Sequence, residues 1–150
     1  MQITIRKATV ADVPAMHALV RELAIYERAE DQHIATVEEY ERDFEAGIYD
    51  ALIAEVDAQV AGMAMYYMAY STWKGKMLYL EDFVVFEAYR RYGAGQLLFD
   101  AFLEVARQAG CRLVKWQVLD WNEPALKFYE KNKAVIEREW WNGKIFLQPE

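Results

Sequence analysis

The sequence predicts a mixed α/β fold built around one core, and three observations carry that prediction. Period-2 and period-3.6 hydrophobic patterns follow one another as strand, helix, helix, three strands, helix, strand, helix and two strands. The chain has 150 residues, the size of one domain, enough to bury about two thirds of its unfolded surface. No linker, repeat or low-complexity run divides it, so residues 1–150 are expected to form one domain.

Each element has a local cause. Ile3 and Ile5 alternate with Thr4 and Arg6 as in a short strand, and Thr9-Val10-Ala11-Asp12 supplies a capping box for the first helix. That helix runs to about Tyr26, with Val13, Met16, Leu19, Val20 and Leu23 forming one apolar stripe and His17 and Arg21 on the solvent side. A charged loop over residues 27–35 leads to a second box, Thr36-Val37-Glu38-Glu39, which opens a short helix through Phe44 that Gly47 closes.

Ala51 to Val56 and Gln59 to Tyr70 read as a hairpin turned at Asp57 and Ala58, with Gly62 marking a bulge or bend. Tyr66, Tyr67, Tyr70 and Trp73 form either an aromatic wall for an amine or, the plainer reading, mostly core. A further helix follows Gly95, carries Leu97, Leu98, Ala101, Phe102, Val105 and Ala106 on one face, and stops at Gly110. Leu113, Val114, Trp116 and Val118 make the next strand. Pro124 opens a helix that frays near Asn132, and Val135 to Trp140 with Lys144 to Leu147 read as a closing hairpin turned at Asn142-Gly143.

The stretch from Leu78 to Leu98 concentrates the chemistry. Leu78-Tyr79-Leu80-Glu81-Asp82-Phe83-Val84-Val85-Phe86 places two carboxylates in a run otherwise fit for a buried strand, a local conflict that marks a functional position. Strand alternation puts Glu81 and Asp82 on opposite faces. In Tyr89-Arg90-Arg91-Tyr92-Gly93-Ala94-Gly95 the side chains are removed at Gly93 and Gly95, just where free backbone N–H groups begin a helix. Such a turn, over Arg91 to Gln96, can cradle a pyrophosphate at the positive end of the helix dipole; an ordinary turn is the competing reading. Leu98 stands where a dinucleotide fingerprint needs its third glycine, and the Lys-Ser or Lys-Thr of a P-loop is missing.

Composition narrows the partners. The net charge of −7 opposes nucleic acid and is compatible with cationic substrates. No apolar run is long enough to cross a bilayer and the amino terminus is not that of a signal peptide, so a cytoplasmic protein without membrane contact is expected. Cys111 alone makes no internal disulfide, and with only His17 and His33 beside it no metal set is expected; it reads as a small buried apolar residue.

Arg90-x-x-Gly93-x-Gly95 resembles the acetyl-coenzyme A signature of the Gcn5-related N-acetyltransferases (GNAT). Leu78 to Phe83, Trp121-Asn122-Glu123-Pro124, Phe128-Tyr129 and Glu22-Leu23-Ala24 with Tyr26-Glu27 are similar to the spermidine/spermine (diamine) branch of that family, over about residues 3–147. The resemblance implies the GNAT fold: a central, mostly antiparallel mixed sheet flanked by helices, with two strands splayed around the cofactor. It implies acetyl-CoA as cosubstrate, held by Phe83, Val84, Val85, Arg90, Arg91, Tyr92, Gly93, Ala94, Gly95, Gln96, Asn122, Glu123, Pro124, Ala125 and Tyr129. Acceptor contacts would come from Tyr26, Glu27, Glu81, Asp82, Lys115, Trp116 and Gln117. An alkylammonium costs about 4 kcal/mol to deprotonate at pH 7, which gives Glu81 work as a base, directly or through one water; Tyr129 would protonate the leaving thiolate. For Tyr129 a core tyrosine remains the alternative.

The implied activity is acetyl transfer, by direct attack in a ternary complex, to a primary amine of a small di- or polyamine or a lysine-like acceptor. A protein or peptide acetyltransferase and a non-catalytic acyl-CoA-binding module are the alternatives. A homodimer is also implied. The sequence departs from the branch at Ser71, where an acidic residue is usual, and at Lys133, where glycine is usual and where either Lys133 or Asn132 must take a left-handed turn. Its carboxyl-terminal segment is also short.

Overall fold

The computed structural model describes residues 2–147, and these fall in two compact units divided between Gln117 and Val118. The first holds a five-stranded sheet in the order β1-β2-β3-β4-β5, with β1 Ile3–Lys7, β2 Asp50–Val56, β3 Gln59–Ser71, β4 Gly75–Val85 and β5 Leu113–Lys115. The first four strands pair antiparallel with their neighbours and β5 runs parallel to β4. Asp57 and Ala58, both at positive φ (49° and 68°), form the tight turn between β2 and β3 that the sequence predicts.

Helix α1, Val13–Tyr26, buries Val13, Met16 and Leu19 against Ala51, Ile53, Met63 and Met65 of the sheet. Each such side chain contributes about 1.5 to 3 kcal/mol when fully buried. Tyr66 and Phe83 turn the other way, onto Phe102 and Phe99 of α3, Ala94–Gln108. Arg6 of β1 reaches Asp12 through two hydrogen bonds of 2.8 and 2.9 Å and Glu55 of β2 through a third of 3.1 Å, which fixes the entry of α1 on the sheet.

Helix α2, Val37–Glu45, starts at the predicted capping box: the Glu39 N–H donates to Thr36 Oγ1 and the Thr36 N–H to Glu39 Oε1, both at 3.1 Å. His17 is not in solvent. Its ring lies 4.5 Å from that of His33 and 4.8 Å from that of Tyr40, and its Nε2 meets the Ala35 carbonyl at 2.8 Å, so the helix face the sequence leaves polar is closed by the loop before α2. Cys111 is half-buried rather than buried, with its Sγ 3.8 Å from Met68 Sδ. Of the tyrosines and tryptophan read as core, only Tyr66 belongs there; Tyr70 and Trp73 are exposed at the β3–β4 turn.

Two irregularities shape β4. Gly62 has its backbone so close to β4 that a Cβ would stand 2.8 Å from the Val84 carbonyl oxygen, and the predicted bulge lies beside it, between Ala54 and Glu55 of β2. Further along, Met65 pairs with Asp82 and Tyr66 with Leu80, leaving Glu81 as the extra residue of a second bulge. On its other side β4 pairs with β5 only from Met77 to Tyr79, so Leu80–Val85 has no strand partner on that side among the described residues. The strand expected to extend to Val118 ends at Lys115.

The second unit contains α4, Glu123–Lys131, with Pro124 in its first turn and the Asn122 side chain accepting from the Ala125 N–H at 3.3 Å. Lys133, at φ 64°, takes the left-handed position after it, and Asn132 does not. The carboxyl-terminal hairpin is absent: residues 134–147 contain no strand, and Trp140, Trp141, Ile145, Phe146 and Leu147 are exposed. An Asn-Gly turn sets a hairpin's register, but two strands alone are marginal in water.

Because the atom nearest the missing Cβ of Gly62 is backbone, Gly62→Ala is expected to destabilise the fold by about 1 to 3 kcal/mol. Urea denaturation of the wild type and the variant measures it.

Candidate active site

The bulge at Glu81 turns both carboxylates of β4 toward one cavity, of about 480 Å3. The opposite-face expectation for Glu81 and Asp82 therefore fails, because an inserted residue breaks the alternation on which it rests. α1 brings Glu27 to the same cavity and α2 brings Glu39, Tyr40 and Asp43, with Glu39 and Asp43 one turn apart on the helix. His33, Tyr49 and Met65 also line it, and of its charged residues five are carboxylates and none is Lys or Arg.

Crowding and burial govern the charge states there. Asp82 is pushed up to about 7, first by burial and then by the neighbouring charges of Glu81 and Glu27. Burial alone raises Glu27. The Glu81 carboxylate accepts from the Tyr67 hydroxyl at 3.3 Å, and Tyr67 is itself pushed up to about 12 by burial and then by that carboxylate. His33, whose Nε2 lies 3.2 Å from the Tyr40 hydroxyl, is held below the ordinary imidazole range by burial and then by His17 and Arg21, so the base in the wall stays neutral near pH 7.

At the start of α3, Arg91 (φ 74°) and Gly93 (φ 89°) are both left-handed, and Gly93 is the residue before the first helical turn. Gly95 is different. It is helical, and a Cβ there would meet only Phe83 Cζ at an ordinary 3.8 Å. Among the described residues none crowds this position, so packing does not account for a glycine that costs the helix about 1 kcal/mol.

The sequence profile of the acetyltransferase (GNAT) family matches residues 14–133. The chain belongs to that family. Among its GNAT relatives, a thialysine N-epsilon-acetyltransferase of Bos taurus is 36% identical over 93% of this chain and 89% of its own length, and the Caenorhabditis elegans enzyme of that name is 34% identical over 75% and 71%. A human spermidine/spermine N(1)-acetyltransferase-like protein 1 is 34% identical over 87% of this chain, which matches 20% of that longer protein. In fold, an aminoglycoside acetyltransferase from an uncultured soil metagenomic sample superposes with a TM-score of 0.79 over 97% of both chains at 19% identity. The chain is thus a GNAT amine N-acetyltransferase that takes its acetyl group from acetyl-CoA.

Within this GNAT domain the structure gathers only part of the residue set that the sequence suggests for the acceptor. Glu27, Glu81 and Asp82 line the cavity; Tyr26, Lys115, Trp116 and Gln117 do not, Tyr26 being exposed and Trp116 packed edge-on against Phe99. The suggested cofactor residues also divide. Gly93, Ala94, Gly95 and Gln96 open α3, but the Arg90 guanidinium binds the Val85 carbonyl at 2.8 Å and Glu22 at 3.3 Å, and so secures the turn. Asn122, Glu123, Pro124, Ala125 and Tyr129 stand at and within α4, where Tyr129 is buried with its ring against Phe128. Glu39, Tyr40, Asp43 and Tyr49 escaped the sequence reading, although the i, i+4 spacing of Glu39 and Asp43 beside the charged loop is a readable signal.

Since Asp82 binds its proton more tightly folded than unfolded, it lowers stability as pH rises from its ordinary value near 4 toward 7. Asp82→Asn is expected to raise stability at pH 8 by on the order of 2 to 4 kcal/mol and to leave it unchanged near pH 4, as read by denaturant titration at both pH values. Gly93→Asp, which adds a carboxylate at a left-handed position beside the α3 amides, is expected to weaken acetyl-CoA binding at least tenfold by calorimetry, about 1.4 kcal/mol.

Proposed function

We propose that the chain transfers the acetyl group of acetyl-CoA to a primary amine of a small diamine or polyamine, with Glu81 as base and Tyr129 as acid. The observation that carries this reading is the cavity of about 480 Å3, lined by five carboxylates and no Lys or Arg. Such a wall favours two ammonium groups over one, and it repels an acceptor that places a carboxylate inside it. The thialysine and spermidine/spermine relatives support the amine class.

Acetyl-CoA supplies an activated thioester. The amide groups that open α3 bind its pyrophosphate, in line with the helix dipole. Asp82 and Glu27 hold one ammonium end of the acceptor by charge, and Glu39 and Asp43 draw the other. Glu81, steadied by Tyr67, takes a proton from the reacting ammonium, directly or through one water, so that nitrogen carries a lone pair. As the amine nitrogen bonds to the acetyl carbon and the carbon–sulfur bond breaks, Tyr129 gives its proton to the departing thiolate.

Glu81→Gln is expected to lower kcat/KM mainly near neutral pH, with the deficit shrinking as the solution approaches the amine's own pKa and the acceptor arrives neutral. Tyr129→Phe is expected to keep its deficit with rising pH until a tyrosine would itself ionise. Thiol release from 1,4-diaminobutane between pH 7 and 9 measures both, and wild-type rates in both variants would overturn both roles.

A further inference from the structure

The connection from β4 to α3 holds Arg91 at φ 74° and Gly93 at φ 89°, and Arg91 lacks the freedom that glycine has in the left-handed region. Such a conformation persists where contacts around it over-determine the path of the chain. One end is tied to the sheet. The Phe86 N–H donates to the Ala61 carbonyl at 2.7 Å, and the Phe86 side chain packs against the core that α1 shares with the strands. The middle is tied by a side chain from α1. Glu22 Oε1 accepts from the Glu87 N–H at 3.2 Å and from Arg90 Nη2 at 3.3 Å, and the same guanidinium donates through Nε to the Val85 carbonyl at 2.8 Å. One carboxylate oxygen therefore joins this connection to the helix whose end brings Glu27 to the acidic cavity.

We propose that Glu22 is a positioning residue for acetyl-CoA: it presets the turn before α3, so that the amides opening the helix meet the coenzyme pyrophosphate already in place. The proposal rests on the reading that those amides bind the pyrophosphate. The Glu22 and Arg90 side chains are 37% and 43% exposed, so as an ion pair they add little to stability. What their hydrogen bonds fix is the path of the backbone. The sign of the charge separates this role from simple electrostatics. A carboxylate near an anion site repels the anion, so if Glu22 acted through its charge alone, removing it would tighten coenzyme binding. If it acts by holding the turn, removing it leaves a looser segment that the coenzyme must order on arrival, and that cost weakens binding.

The test measures acetyl-CoA binding by calorimetry, and KM for acetyl-CoA and for 1,4-diaminobutane by thiol release, in the wild type, Glu22→Ala, Glu22→Gln, Arg90→Ala and the Glu22→Ala/Arg90→Ala double variant. Glu22→Ala is expected to weaken acetyl-CoA binding at least tenfold, about 1.4 kcal/mol, although it removes a negative charge. KM for the diamine at saturating acetyl-CoA is expected to stay within twofold of the wild type. Glu22→Gln, whose amide oxygen can still accept from the Glu87 N–H, is expected to lose at least threefold but less than Glu22→Ala. The double variant is expected to lose less than the product of the two single losses, because the side chains act through a shared contact. Unchanged or tighter binding in Glu22→Ala, beside a weakened Gly93→Asp, would overturn this inference and leave the pyrophosphate assignment standing. So would equal rises in both KM values, which would mark a general effect on the fold, or a double variant that loses the full product. Should Glu22→Ala fail to fold, wild-type affinity in Glu22→Gln overturns the inference. Wild-type affinity in Gly93→Asp would overturn the pyrophosphate assignment itself.

Discussion

The site depends on one extra residue. Between the Met65–Asp82 and Tyr66–Leu80 pairs, β4 carries Glu81 with no partner of its own, and that insertion turns two adjacent carboxylates toward a common space. A regular strand would have sent one of them to the α3 side of the sheet. The bulge is held on both flanks: Gly62 lets β3 and β4 approach closely near one end of the pairing, and Tyr67 next to the bulge hydrogen-bonds Glu81 itself. Side-chain direction, local charge and proton affinity at the site all follow from this backbone irregularity.

Gathering five acids in one cavity works against the folded state, and the surrounding structure offsets it with contacts that hold the elements around the cavity. Arg6 locks Asp12 and Glu55 together, tying the start of α1 to the sheet from which Glu81 and Asp82 project. The Thr36–Glu39 box fixes the start of α2 and orients one of the cavity acids by occupying its Oε1. His17, His33 and Tyr40 close the loop between the two helices by ring packing and by the His33–Tyr40 hydrogen bond. Arg21, bound to Glu30 at 2.9 Å, ties the same loop to α1 from outside the cavity lining.

Most of the sheet and helices were legible because their causes are local. Alternation marks β1, the turn at Asp57 and Ala58 marks the β2–β3 hairpin, an apolar run marks β4, capping boxes mark α2 and the entry to α1, and the glycines before α3 mark its start. Spaced motifs in a fixed order also identified the family. What escaped depends on partners. A bulge is a mismatch between two strands, and neither Met65 nor Glu81 shows it alone. The Asn142-Gly143 signal describes a turn, yet a strand needs a neighbour, and residues 134–147 form none. His17 was assigned to solvent because its own helix gives no sign of the loop that returns over it through His33 and Ala35. The acidic cavity was half legible: Glu27, Glu81 and Asp82 came from motifs, whereas Glu39 and Asp43 needed the three-dimensional return of α2.

Asp82, with its carboxyl pushed up to about 7, is shared between two protonation states in neutral solution. On the function proposed above, a cation that docks beside it favours the ionised form, so binding of an acceptor expels a fraction of a proton. Association is then an exchange of one positive charge for another rather than a simple addition. The heat it releases includes the heat of the buffer that accepts the proton, and the apparent affinity for a cation strengthens as the medium becomes less acidic. On that reading, the sheet irregularity at Glu81 makes the resting enzyme carry part of its counter-charge as hydrogen bound at Asp82, ready to leave when the acceptor arrives.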